Sequence, residues 1–284
     1  MKYVDMPGTG LNVSKVCLGT MTFGGQVGEA DSIKIIRTAL DMGINFVDTA
    51  DIYTKSESER IVGEALKGRR DNVMDIYYLH RPDDHTPLEE TMSTMNDLVR
   101  AGKVRYVGIS NYPAWMVTDI LAICDKRSYA PVVVNQEVYN MVTRGIEDEL
   151  VPMATRHDMG LIVYNPLASG LLTGKHKNGV LAAGSRLAES KLYNGRYWNT
   201  ANAQATERLM EIAEKEGMSL VELAFRWCSN RPHVDSVLVG VSKLEQLEQN
   251  IDYVLGQPLD AACEAACDQV WADLPIGTRF KYFR

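Results

Sequence analysis

The chain has 284 residues, 45% of them hydrophobic and 24% charged, with a formal net charge of −7. These values describe a globular protein able to bury a large core and exclude disordered or fibrous composition. The acidic balance argues against a surface built for nucleic acid or an anionic membrane, with a local basic patch left open.

The elements follow in chain order. SKVCLGTM (14–21) reads as a first strand. EADSIKIIRTALDMG (29–43) is an amphipathic helix ending at a glycine. INFVDTA (44–50) is a strand, and SESERIVGEALKG (56–68) a helix with Ser56 and Glu59 spaced as a capping box. IYYLH (76–80) is a strand, and PLEETMSTMNDLVRAG (87–102) a helix with Pro87 near its first turn. VRYVGIS (104–110), PAWMVTDILAICDK (113–126) and PVVVNQ (131–136) read as strand, helix and strand. IEDELVPMATRHDMG (146–160) reads as a helix that accommodates Pro152, and LIVYNP (161–166) as a strand. Residues 168–200 read as a long irregular region. Helices at 205–217 and 219–230, a strand VDSVLVG (234–240), and helices at 242–255 and near 258–272 complete the chain.

Regular β–α alternation with short, apolar strands predicts an α/β fold with a parallel sheet and helical crossovers. No GxGxxG follows the first strand, so an open dinucleotide-binding sheet is disfavoured. Polar residues end the strands instead, at Asp48, His80, Ser110, Gln136 and Asn165, with Gly240 at the last. That pattern predicts a (β/α)8 TIM barrel over residues 1–284 as one domain, with its chemistry at the C-terminal mouth.

The strands number seven, whereas such a barrel needs eight. The tight place is RRDNVMDIYYLH, where the third β–α unit is missing between Val73 and Met74. Either that unit is deleted, or Val73 and Met74 flank a further segment. Deletion breaks the layered core and stagger of a closed barrel, so a further segment is the expectation. A bonded Cα–Cα pair at Val73–Met74 would overturn it.

Four stretches carry chemistry. In FVDTADIY, Asp48 closes a strand and Tyr53 follows. A phenol, with a pKa of about 10, protonates a carbonyl at neutral pH only if a cation and oriented hydrogen bonds lower that value. Asp48 can hold such a cation, and His80 can polarise the carbonyl. The plainer reading is a turn-capping Asp and a Tyr in the pocket wall. Ser110, Asn111 and Gln136 offer amides and a hydroxyl for a nucleotide base or carboxamide, or for ordinary strand-end capping. Tyr164 offers an aromatic platform, and the glycines after it allow close approach of phosphate. GLLTGK lacks Walker A spacing, and His176 stands where Ser or Thr is needed. In GVSKLEQLEQN, Ser242 at a helix start, Lys243 and Gln246 read as a phosphate site, or as an N-capped surface helix.

Together GTMTFGG (19–25), GINFVDTADIY (43–53), SERIVGEAL (58–66), YLHRPD (78–83), GKVRYVGISNY (102–112), NQEVYN (135–140), YNPLASGLLTGK (164–175) and VLVGVSKLEQLEQN (237–250) resemble the aldo-keto reductase family. The resemblance covers essentially the whole chain and is nearest to bacterial oxidoreductases and the potassium-channel β-subunit-like branch. It implies NADP(H) across the mouth of a barrel and reduction of an aldehyde or ketone by hydride transfer. By that resemblance Asp48, Tyr53 and His80 are catalytic, with Tyr53 the general acid. Ser110, Asn111 and Gln136 would hold the carboxamide, and Tyr164 would stack on the nicotinamide. Asn165, Pro166, Leu167, Ser169, Gly170, Leu172, Gly174 and Lys175 would line the pyrophosphate passage. Gly240, Ser242, Lys243, Gln246, Gln249 and Asn250 would hold the adenosine 2′-phosphate end, and Gly19, Thr20, Met21 and Asp48 complete the cofactor site. Lys243 favours NADPH over NADH.

The chain departs from the family at a fourth catalytic residue, a lysine ending the third strand. Lys67 and Lys103 stand on the wrong elements to replace it. The alternatives are a nicotinamide-nucleotide-binding regulatory or partner protein with weak turnover, and a non-redox barrel enzyme. No metal cluster is visible. The five cysteines form no CxxC pair and read as reduced thiols. With no apolar leader or membrane-length run, the expectation is a cytoplasmic protein with a small carbonyl substrate. The 22–28 loop, the turn after Tyr53 and residues 176–200, with Tyr193, Tyr197 and Trp198, are read as the specificity loops.

Overall fold

Side chains of a strand point alternately to its two faces, and the parallel strands here use both. In the computed structural model, which describes residues 1–176 and 180–279, an antiparallel hairpin comes first: β1 (Tyr3–Asp5) and β2 (Asn12–Ser14). It is followed by β3 (Val16–Gly19), α1 (Glu29–Asp41), β4 (Val47–Asp48), α2 (Glu57–Ala65), β5 (Ile76–Leu79), α3 (Leu88–Arg100), β6 (Tyr106–Ser110), α4 (Ala114–Arg127), β7 (Val132–Val138), α5 (Leu150–Arg156) and β8 (Gly160–Tyr164). Then come α6 (Arg186–Glu189), α7 (Lys191–Tyr197), α8 (Thr200–Lys215), α9 (Leu220–Ser229), β9 (Ser236–Gly240), α10 (Leu244–Val254) and α11 (Ala261–Ala272).

Strands β3 to β9 form one parallel sheet in the order β4-β3-β9-β8-β7-β6-β5. On β3, Val16 and Leu18 face the helices, where they pack with Ile35, Ile61, Leu223 and Leu247. Cys17 faces inward, with Phe46 just before β4 and Val134, Ile162, Tyr78, Tyr106 and Leu238 from the other strands. The inner faces thus meet each other in a filled core, as in a TIM barrel. Met6 and Val13 of the hairpin region join that inner core; nothing in the strand pattern foretold the hairpin.

The barrel does not close. β4 and β5 are the two edges of the seven-stranded sheet, and they are not paired with each other. Their feet are linked by one backbone hydrogen bond, from Met74 N to Asn45 O at 3.0 Å. The missing strand position lies above that link. The chain runs directly from Val73 into Met74, which corrects the expectation of a further segment between them. α2 serves as the crossover from β4 to β5 and skips one strand place. A 3-10 turn, Arg70–Asn72, then delivers the chain to the foot of β5, where Asp75 pairs with Arg70 and, at 3.5 Å, with Arg105.

Several local expectations change. Ser56 does not cap α2: its hydroxyl donates to Asp51 O at 2.8 Å, and its φ of 70° turns the chain instead. The 146–160 helix is a 3-10 turn, Gly145–Glu147, followed by α5. Pro152 sits in the first turn of α5, where its missing N–H has no helical partner to lose. The irregular region contains α6 and α7, whose starts are capped by the Ser185 and Ser190 side chains. Residues 177–179 of the expected 176–200 loop lie outside the described residues. All five cysteines are buried and free, and among the described residues no helix is long and apolar enough to cross a membrane.

Candidate active site

Asp48 is the last residue of β4, and its backbone is fixed before its side chain acts. Its carbonyl accepts from Thr20 N at 3.1 Å and Thr20 Oγ1 at 2.8 Å. Ser58 of α2 donates to Thr20 O at 2.8 Å, so the helix braces the strand ends. The carboxylate faces inward, where Gln136 Nε2 of β7 donates to Oδ1 at 3.0 Å. Burial pushes the Asp48 carboxyl up to about 6, and the Gln136 hydrogen bond opposes that only in part. Among the described residues no lysine or arginine pairs with it. Lys67 pairs with Glu64 on α2 at 2.8 Å, and Lys103 precedes β6 at the opposite end of the sheet.

Tyr53 follows on a turn whose next three residues, Thr54, Lys55 and Ser56, all have positive φ (48°, 59° and 70°). Left-handed backbone is costly for residues with a Cβ, roughly 1–2 kcal/mol each, and such strain gathers at functional sites. Two side chains hold the turn: Thr54 Oγ1 donates to Phe23 O at 2.7 Å, and Ser58 N donates to Thr54 Oγ1 at 3.0 Å. The Tyr53 ring meets the His80 ring edge-on, with centroids 5.9 Å apart. Burial, then the Asp48 charge, raises the Tyr53 pKa far above that of a free phenol. Burial lowers the His80 pKa, so His80 is neutral at neutral pH.

A second network joins β5, β6 and β8. Tyr164 Oη donates to Asn111 Oδ1 at 2.7 Å, and Asn111 Nδ2 donates to His80 O and to Ser110 Oγ, both at 2.9 Å. Ser110 Oγ donates to Gln136 O at 2.7 Å. Asn111 holds this position with φ of 64°, which asparagine tolerates better than most residues. The structure therefore brings Asp48, Tyr53, His80, Ser110, Asn111, Gln136 and Tyr164 to one mouth.

The remaining predicted residues divide. Asn165 binds Ser169 N through Oδ1 at 2.6 Å and donates to Tyr197 Oη at 2.7 Å. That makes a tight corner before Gly170, whose φ is 99°. Pro166, Ser169 and Leu172 are buried, Leu172 within the core; Leu167, Gly170 and Gly174 are partly exposed, and Lys175 is exposed. Gly19 and Thr20 are buried and Met21 half-buried. At the last strand, Gly240, Lys243, Gln246 and Gln249 are exposed, Ser242 half-buried and Asn250 buried. Ser242 does not cap α10: its N–H and hydroxyl both donate to Gln246 Oε1, at 2.9 and 3.1 Å. Lys243 is the residue before the helix.

One mouth residue, Tyr78, escapes the sequence reading, and Tyr193, read above as part of a specificity loop, joins it. Tyr78 lies on β5 two places before His80, so its side chain shares the inward face; its hydroxyl oxygen is buried without a hydrogen-bond partner and lies near Asp48. The alternation of 76, 78 and 80 was the available signal. Tyr193 of α7 points its hydroxyl at Met21 Sδ, 3.7 Å away. Tyr197, in contrast, is fully buried, and Trp198 packs on His176 with ring centroids 5.6 Å apart.

The sequence model of the Aldo/keto reductase family matches this chain in two segments, residues 15–74 and 70–272. The chain belongs to the aldo-keto reductase family. Membership classes it with the NADP-dependent oxidoreductases. It is 31% identical to a probable voltage-gated potassium channel subunit beta of Arabidopsis thaliana, over 91% of this chain and 93% of that protein. It is 30% identical to aldo-keto reductase family 7 member A3 of Homo sapiens, over 89% and 92%. It is 31% identical to aflatoxin B1 aldehyde reductase member 2 of Rattus norvegicus, over 89% and 83%. The first alignment spans 309 positions, more than the 284 residues of this chain, so that relative carries residues with no counterpart here. The two family segments meet at residues 70–74, the place where the sheet stands open.

Proposed function

We propose that this reductase binds NADP(H) along the mouth and reduces an aldehyde or ketone to the alcohol, with Tyr53 as proton donor and a rate held down by that phenol's weak acidity. The observation that carries the reading is the network running from Tyr164 through Asn111 to Ser110, Gln136 and Asp48. It fixes two amides and a hydroxyl beside a tyrosine–histidine pair.

The donor set fits the nucleotide. Ser110, Asn111 and Gln136 would hold its carboxamide, with the Tyr164 ring beside them. The Asn165–Gly170 corner would take the pyrophosphate. Lys243 with Ser242 would take the 2′-phosphate once Gln246 releases the Ser242 N–H. The chemistry that the reduced nucleotide supplies when bound is a hydride for the carbonyl carbon. Neutral His80 orients the carbonyl oxygen toward Tyr53, and Tyr53 Oη gives that oxygen its proton. A cation beside Asp48 would make this transfer easier; none pairs with it among the described residues. The same fact favours a second reading, a nucleotide-binding protein with little turnover.

The test combines NADPH binding, read by fluorescence, with NADPH consumption over a panel of aldehydes and ketones. Consumption that Tyr53→Phe abolishes while binding persists supports the reductase reading. Binding with no consumption transfers the case to the nucleotide-binding reading, and absence of nicotinamide-nucleotide binding defeats both.

A further inference from the structure

Behind the Asn111 corner lies a fully buried carboxyl. Gln136 points inward to Asp48, so the next residue of β7, Glu137, points to the opposite face of the sheet. Glu137 is 0% exposed, and both its carboxyl oxygens lack a partner in hydrogen-bond geometry. The register pairs Ser110 with Gln136, which sets Glu137 beside Asn111 and Tyr112 in the turn from β6 to α4. Burial pushes the Glu137 pKa up, and the backbone N–H groups of Asn111 and Tyr112 and the Asn135 amide, which face the carboxyl, oppose that rise. Among the described residues neither of those N–H groups has another hydrogen-bond partner. Asn135, on the same face of β7, is also 0% exposed, and both its amide atoms are unpartnered.

We propose that Glu137 is a positioning residue for the nicotinamide end of the nucleotide: its carboxyl is the acceptor toward which the Asn111 and Tyr112 N–H groups are turned, and by fixing that corner it aims the Asn111 amide. The inference rests on the reading of the mouth as a nucleotide site.

Three observations select this role. Successive backbone N–H groups beside a left-handed residue form a concavity that takes an anion or an oxygen acceptor, and Asn111 has a φ of 64°. The orphaned donors of the corner and the orphaned acceptors of Glu137 are complementary, and buried polar groups are ordinarily satisfied. The start of α4 has no side-chain cap and no acidic residue in its first turn, so Glu137 supplies from β7 the oxygen that a helix start favours. The corner in turn directs the Asn111 side chain, whose Nδ2 donates to His80 O and Ser110 Oγ and whose Oδ1 accepts from Tyr164 Oη. Without an acceptor behind it, the Asn111 backbone relaxes from the left-handed region and the amide swings out of that network. Lys243 and Ser242 follow β9, three places from β6 in strand order, so the 2′-phosphate end does not share the corner.

The test titrates the full chain, by calorimetry, with NADPH and with adenosine 2′,5′-bisphosphate, which keeps the 2′-phosphate end and lacks the nicotinamide. Glu137→Met fills similar space without an acceptor, and apolar replacement of a buried charged group is often tolerated by the fold. It should raise the Kd for NADPH about tenfold, the scale of a buried hydrogen-bonding group left without its partner, and leave the Kd for the bisphosphate unchanged. Glu137→Gln keeps one carbonyl oxygen with two lone pairs, so its Kd for NADPH should fall between those of the unsubstituted protein and the methionine variant. A merely structural role would weaken both ligands alike. Equal changes for the two ligands, or an unchanged Kd for NADPH, would overturn the role of Glu137 and leave the nucleotide reading intact. If the methionine variant does not fold, the same comparison on Glu137→Gln decides. Failure of the unsubstituted protein to bind NADPH would overturn the nucleotide reading and this inference with it.

Discussion

Gln136 Nε2 donates to Asp48 Oδ1 at 3.0 Å, directly across the interior of the rolled sheet. The two residues sit on β7 and β4, which are four places apart in strand order. The contact exists only because the sheet curls until its inner faces meet. It also makes a neutral amide the one side-chain hydrogen-bond partner, among the described residues, of the Asp48 carboxylate, which makes this group contribute to stability in a pH-dependent way.

The Asp48 carboxyl is pushed from its usual 3.8 up to about 6 by burial. Between about pH 4 and pH 6 the folded state therefore holds a proton that the unfolded chain has released, and stability falls as pH rises through that window. Above it the loss from this group is at most about 3 kcal/mol. Asp48→Asn keeps the shape and removes the charge. Urea unfolding of the two proteins should agree best near pH 4 and diverge up to about pH 6, with the variant the more stable at neutral pH. Parallel curves across the whole range would contradict this account.

At the opposite end of the mouth, Lys243 is exposed beside the start of α10. If it faces the 2′-phosphate, Lys243→Ala should raise the Kd for NADPH about fivefold, since an exposed charge pair contributes up to about 1 kcal/mol. The Kd for NADH should not change. Titration by fluorescence reads both, and an equal effect on the two nucleotides would remove Lys243 from that role.

How far the sequence reached can be judged residue by residue. The barrel-like sheet was legible because polar residues end strand after strand, at Asp48, Ser110 and Gln136, and parallel strands bring such ends to one mouth. The missing unit was legible as a count, but its consequence was not. Deletion looked incompatible with the fold because a closed barrel needs every strand. The structure instead leaves the sheet open, with α2 as a longer bridge and one hydrogen bond at the feet. The turn after Tyr53 was read as a helix cap because Ser56 and Glu59 have the right spacing. Spacing says nothing of three successive left-handed residues, which are fixed by Phe23 and Asp51 far from or behind them in the chain.

Gly108 shows a close approach that decides the sign of a substitution. It pairs laterally with Tyr78 on β5, and a Cβ there would lie 2.6 Å from Tyr78 Cε1. An unstrained glycine replaced by alanine gains about 0.4–1 kcal/mol through the unfolded state. Here the ring must shift, and overpacking costs about 1–3 kcal/mol. Gly108→Ala should therefore lower the urea midpoint, and pairing it with Tyr78→Leu should restore part of the loss. An increase in stability for the single variant would mean that the ring does not lie over Gly108.

Lys55 offers the opposite case. Its side chain is exposed and its φ is 59°, in the middle of the left-handed turn behind Tyr53. The cost of that conformation, roughly 1–2 kcal/mol for a residue with a Cβ, is largely absent in glycine. Glycine gives back about 0.5–1 kcal/mol through its freer unfolded chain. Lys55→Gly should therefore stabilise the protein by about 0.5–1 kcal/mol, and Lys55→Val, whose branched Cβ crowds the same backbone, should destabilise it. Urea unfolding separates the two. If both substitutions destabilise equally, the Lys55 side chain supports the turn and its backbone is not the strained element.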